Sequence, residues 1–69
     1  MYRFTCKDSH ILSATYYPDL KELRVTFRRT GTYAYYGVPE HIWSGFANAI
    51  SKGEYHERNI RGEFDYAKL

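Results

Sequence analysis

Gly31-Thr32-Tyr33-Ala34-Tyr35-Tyr36-Gly37-Val38-Pro39-Glu40-His41-Ile42-Trp43 holds a strand, its end and a helix start in one run. Tyr33 and Tyr35 alternate as one face of a β-strand requires, because successive side chains point to opposite faces. Gly37-Val38-Pro39 stops that strand. Pro39 has no ladder hydrogen bond to give but suits the first turn of a helix. Strand parity splits the aromatic run, with Tyr33 and Tyr35 on one face and Ala34 and Tyr36 on the other. The Tyr-x-Tyr pair is the expected core element, and Tyr36 is the expected outward tyrosine.

Two strands precede this run. Ile11 to Tyr17 is β-branched and aromatic, with Leu12, Ala14 and Tyr16 on one face. Ile11 falls out of that apolar set, which points to a bulge near Leu12-Ser13. Pro18-Asp19-Leu20-Lys21 is a turn. In Glu22 to Arg28, Leu23, Val25 and Phe27 alternate with Arg24, Thr26 and Arg28, so the register is well specified. Arg29-Thr30-Gly31 turns into the third strand, Thr32 to Tyr36. Short loops make these three strands an antiparallel meander. Tyr2 and Phe4 alternate too, so residues 1–8 form an edge strand or a lead, with a turn or cap at Asp8-Ser9.

A helix is expected from Pro39 to Ile50. Ile42, Phe46 and Ile50 repeat at helical spacing, and Trp43 and Ala47 widen the stripe. Gly45 is an unfavourable helix residue that permits close approach to the sheet. Ser51-Lys52-Gly53 is expected to end the helix. Residues 54–69 lack a strong period, but Tyr55, Ile60, Phe64 and Tyr66 are spaced as anchors for an ordered tail. The expected fold is therefore α+β: one domain over residues 1–69, with a three-stranded antiparallel β-meander, one packing α-helix and an ordered C-terminal tail.

Composition narrows the function. Sixty-nine residues hold one core. Cys6 is the single cysteine, so neither an intrachain disulfide nor a cysteine-based metal site is available. That free thiol, with no leader and no long apolar run, sets the expectation of a cytoplasmic protein away from membranes. The net charge is +2, but it is uneven: residues 1–36 carry six Lys/Arg against three Asp/Glu, and residues 37–69 carry four against five. Aromatic residues make up 19% of the chain, eight of them tyrosines. Large rings filling a small core, or an exposed stacking surface, both account for that.

No catalytic constellation is expected. Ser9 and His10 are strand neighbours pointing apart, Cys6 has no activating setting, and Glu54 and Glu57 read as helix-surface charge. His10, His41 and His56 are spaced as surface or cap residues rather than metal ligands. No cofactor and no metal are expected. Two binding surfaces can be drawn. One is the sheet face opposite the helix, with Arg24, Thr26, Arg28 and Tyr36. The other is the junction of helix end and tail, with Ser51, Gly53, Tyr55, Arg58, Asn59 and Arg61, whose hydroxyl, amide and guanidinium groups suit a phosphate.

The succession Ser9-x-Ile11, Leu23-x-Val25-x-Phe27, Gly31-x-Tyr33-x-Tyr35, Val38-Pro39, Ser51-x-Gly53-x-Tyr55 and Ile60-Arg61 resembles the KTSC domain over Ser9 to Tyr66. That family is named for the C-terminus of some lysyl-tRNA synthetases and also occurs as a lone small bacterial or phage protein. The chain departs from the family's habit at Asp8, at Tyr17 and at Glu57, where serine, aspartate and asparagine are common. The synthetase attachment implies RNA binding by association. The expected function is a non-enzymatic nucleic-acid or nucleotide-binding module, RNA-directed. The alternatives are a protein-interaction or self-associating module, such as a homodimer, or a phage-type protein that sequesters a small nucleotide.

Overall fold

The computed structural model describes residues 1–7 and 9–69, so the Asp8 part of the expected turn lies outside them. Strands β1 (Tyr2–Thr5), β2 (Ile11–Tyr17), β3 (Glu22–Phe27) and β4 (Gly31–Tyr36) come first, then helices α1 (Glu40–Asn48) and α2 (Lys52–Asn59), then strand β5 (Tyr66–Lys68). The sheet is antiparallel throughout, in the order β1-β2-β3-β4-β5. The class is α+β, as expected, but the three-stranded meander with one helix is corrected to five strands and two helices. The meander is the sheet's centre, residues 2–5 add one edge strand, and the expected tail supplies most of a second helix and the other edge strand.

Local chemistry accounts for these corrections. Ser51 does not end a helix; it caps one, its hydroxyl accepting from the Glu54 N–H at 3.3 Å. Ser51-x-x-Glu54 has the spacing of a capping box, and the glycine between them gave a misleading stop signal. Helix α1 ends earlier, at Asn48, and leaves Ile50 fully exposed rather than on the apolar stripe. Strand β5 has only three residues, too few for a period to show.

The expected bulge is present as a register shift between Ile11 and Ser13. It turns Ile11 into the core and Leu12 out to solvent, so Leu12 does not share a face with Ala14 and Tyr16. Leu23, Val25 and Tyr35 meet Trp43, Phe46 and Ile60 across the interior. Two hydrogen bonds pin the bend between β4 and α1. The buried Tyr16 hydroxyl donates to the Val38 carbonyl at 2.6 Å, and the Val38 N–H donates to the Lys21 carbonyl at 2.9 Å. The Tyr16 ring also stacks on Trp43 at 5.6 Å. Among the described residues no helix is long and apolar enough to cross a membrane.

The two helices touch at Gly45. The Tyr55 ring lies against it, stacks on Phe46 at 5.7 Å and donates its hydroxyl to the Ile42 carbonyl at 3.0 Å. A Cβ at Gly45 would sit 2.8 Å from Tyr55 Cζ. Alanine gains about 1 kcal/mol of helix propensity, but overpacking costs about 1–3 kcal/mol and the hydroxyl bond about 1 kcal/mol more. Gly45→Ala should therefore destabilise the fold by about 1–3 kcal/mol in urea unfolding; a stabilised variant would contradict this packing.

Candidate functional site

A cavity of ≈ 570 Å³ opens between β4, β5 and α2. Strand parity turns Tyr33 and Tyr35 toward the helices, and Tyr66 stands opposite Tyr35 in the β4–β5 register. These three tyrosines, Phe27 and His56 make the aromatic lining, and Thr30, Glu57, Arg61 and Gly62 complete it. Tyr66 lies 6.1 Å from Tyr33 and 6.0 Å from Tyr35, centroid to centroid. Tyr66 is mostly exposed, so one aromatic wall is open to a ligand. The Lys68 ammonium stands 5.9 Å from the Tyr33 ring, which brings a cation to the rim.

Tyr35 and His56 form the floor. Both are buried, and the Tyr35 hydroxyl is 2.9 Å from His56 Nε2. Phe27 meets the imidazole edge-on at 5.1 Å. Helix α2 places the next residue, Glu57, beside the other ring nitrogen: its Oε2 is 3.7 Å from Nδ1, within ion-pair range but too far for a hydrogen bond. Nδ1 is accordingly buried without a hydrogen-bond partner. A carboxylate on that side favours the Nδ1–H tautomer, in which the Tyr35 hydroxyl donates to Nε2. Burial lowers the pKa of His56 and raises that of Tyr35. The 2.8 Å hydrogen bond from Arg61 lowers the pKa of Glu57.

The residues singled out from the sequence do not form one site. Arg24 and Tyr36 are on the outer sheet face, but the Arg24 guanidinium is bound to Glu22 at 2.6 Å and lies 5.4 Å from the Tyr17 ring. Thr26 on that face bonds Thr32, Oγ1 to Oγ1, at 2.7 Å. Arg28 is not part of this face. It follows β3 and donates to the carbonyls of Ser9, at 2.8 Å, and of Cys6, clamping the β1–β2 connection. Ser51, Tyr55, Arg58 and Asn59 do come together, in a second cavity of ≈ 430 Å³ beside the exposed Ile50. Their polar groups are largely taken: Asn59 Nδ2 donates to the Tyr55 carbonyl at 3.3 Å, and Arg58 pairs with Glu54 at 4.0 Å. Gly53 packs on His10 instead. Arg61 is separated from this group and lines the first cavity.

Sequence reasoning placed Tyr33 and Tyr35 correctly toward the helices but missed His56, Glu57, Tyr66 and Lys68. His56 is buried, not a surface residue. The capping box was the signal that could have found it: a helix begun at Ser51 puts Lys52, Tyr55, His56 and Asn59 on one face. Among the described residues no three His, Cys, Asp or Glu side chains gather into a metal-binding group.

Comparison with known proteins gives three findings. Residues 7–64 match the family model described as the KTSC domain. The crystal structure of a KTSC domain protein from Yersinia pestis is 41% identical and superposes with a TM-score of 0.93, covering 99% of this chain and 96% of that one. A lysine–tRNA ligase from a Nostoc species is 34% identical over 61 residues, which is 88% of this chain and only 11% of the ligase.

The floor predicts a pH effect on stability. An unfolded histidine titrates at about 6.5. His56 titrates lower when folded, so the unfolded chain takes up the proton first. Stability is therefore present above that value and is lost as the pH falls below it toward the folded pKa. Urea unfolding should show a lower midpoint at mildly acid than at neutral pH, with a smaller difference in His56→Gln. An equal pH difference in both proteins would contradict the assignment.

Proposed function

The chain belongs to the KTSC domain family, and on that premise we propose that it is a cytoplasmic, non-enzymatic module that binds nucleotides and single-stranded nucleic acid, RNA in particular. The observation that carries this reading is the cavity itself: three tyrosines with a cation at the rim. Every base has a π-face, so the exposed ring of Tyr66 offers a stacking platform. Lys68 is placed to meet phosphate at the mouth. Unpaired RNA bases are recognised in this manner, splayed onto aromatic side chains. The likeness to a segment of a lysine–tRNA ligase adds an association with RNA. The non-enzymatic part rests on what the floor already does, since the Tyr35 hydroxyl and His56 Nε2 satisfy each other.

A second reading, self-association, is favoured by one observation. Strand β5 is a sheet edge that carries the exposed Tyr66 and is followed by the exposed Leu69, and an unpaired edge is a template for another strand. Sedimentation at high concentration separates it from the first, because a monomer removes it.

Fluorescence anisotropy with labelled single-stranded RNA tests the leading reading. Binding should weaken as salt rises. Tyr66→Ala should weaken it about tenfold, since a base–aromatic stack contributes about 1–3 kcal/mol and each 1.4 kcal/mol is tenfold. No salt-dependent binding would overturn the RNA reading. Thermal stabilisation by mononucleotides in its place would leave nucleotide sequestration.

A further inference from the structure

The cavity's polar wall carries a single carboxylate, Glu57, with Arg61 beside it. Glu57 is half-exposed there, and two groups hold its carboxylate from opposite ends. Arg61 donates to Oε1 at 2.8 Å, and the buried, unpartnered Nδ1 of His56 lies 3.7 Å from Oε2. Both neighbours favour the ionised form, so the wall presents fixed acceptor oxygens. A carboxylate has about four lone-pair sites, and Arg61 uses one of them. A phosphate placed against the Glu57 oxygens would meet like charge. A base edge rich in N–H donors would not.

Resting on the nucleotide-binding reading above, we propose that Glu57 makes the cavity selective for guanine. The Watson–Crick edge of guanine carries two adjacent donors, N1–H and N2–H, which match the two oxygens of a carboxylate. The same edge of adenine or cytosine sets one amino donor beside a ring nitrogen whose lone pair would face the carboxylate. Uracil has one imide N–H between two carbonyl oxygens. Selection therefore comes from repulsion of the wrong bases as much as from attraction of the right one. In this arrangement the guanine ring stacks on Tyr66, its donor edge meets Glu57, and its phosphate stays at the Lys68 rim. A free guanine nucleotide and an unpaired guanosine in RNA share this chemistry.

Isothermal titration of the whole chain tests the proposal, using GMP, AMP, CMP and UMP, then a short oligoadenylate and the same oligomer with one guanine. GMP or the guanine-bearing oligomer should bind about 10- to 100-fold more tightly than its counterparts, the discrimination a good bidentate base contact supplies. Preference in the mononucleotides alone identifies a free nucleotide as the ligand; preference in the oligomers identifies an RNA residue, and either supports the role of Glu57. Glu57→Gln should keep the wild-type circular dichroism and lose the preference, because its amide offers one acceptor and one donor in place of two acceptors. Lys68→Ala should weaken all ligands alike. Equal binding of all four nucleotides and of both oligomers would overturn guanine selection and leave the nucleotide reading standing. A preference that survives in Glu57→Gln would overturn the role of Glu57. No binding by any ligand would overturn both readings.

Discussion

The hydrogen bond between the Tyr35 hydroxyl and His56 Nε2 joins the sheet to its second helix from inside the molecule. Both partners are buried, so the loss of either would leave a polar atom without water to replace it, at a cost of about 1–3 kcal/mol. That constraint fixes where α2 can sit. The helix in turn aims Glu57 at the gap beside β4, and the turn after it, which includes Arg61 and, at φ 78°, Gly62, returns the chain to pair as β5. The cavity follows from this path. Rings of Phe27, Tyr33 and Tyr35 span the space under α2 edge-to-face and leave room that interdigitated aliphatic side chains would have filled.

Much of the central sheet was legible because period-two patterning is a strong signal when one face is buried and the other wet. Leu23, Val25 and Phe27 set the register of β3, and the misfit of Ile11 revealed the bulge. Helix α1 was legible from Ile42, Trp43 and Phe46, although its C-terminal end was not, because Ile50 fits the periodicity without being in the helix. The second helix and the last strand were obscured for a physical reason. Both are short and polar, and tertiary contacts rather than local propensity hold them: Ile60 in the core, and the ladder of β5 against β4.

The candidate site was harder to read because it is assembled from residues distant in sequence. Tyr33 and Tyr66 come together only through the β4–β5 register, and His56 reaches Tyr35 only across the interior. Charge density alone pointed to the outer sheet face. There, however, Glu22 holds Arg24, and Arg28 is engaged with backbone carbonyls at the end of the sheet. A guanidinium with a close carboxylate partner adds little positive field for a phosphate, whereas the rim cation Lys68 has no carboxylate partner among the described residues. Pairing, more than the count of basic residues, distinguishes the two faces.

The proposed function places the ligand in the cavity and not on the outer sheet face. The most direct measurement is a residue-resolved NMR titration with single-stranded RNA and with GMP. Binding in the cavity should concentrate the shifts at Tyr33, Tyr35, His56, Glu57, Tyr66 and Lys68. Shifts confined to Arg24, Thr26 and Tyr36, with the cavity residues unmoved, would contradict it.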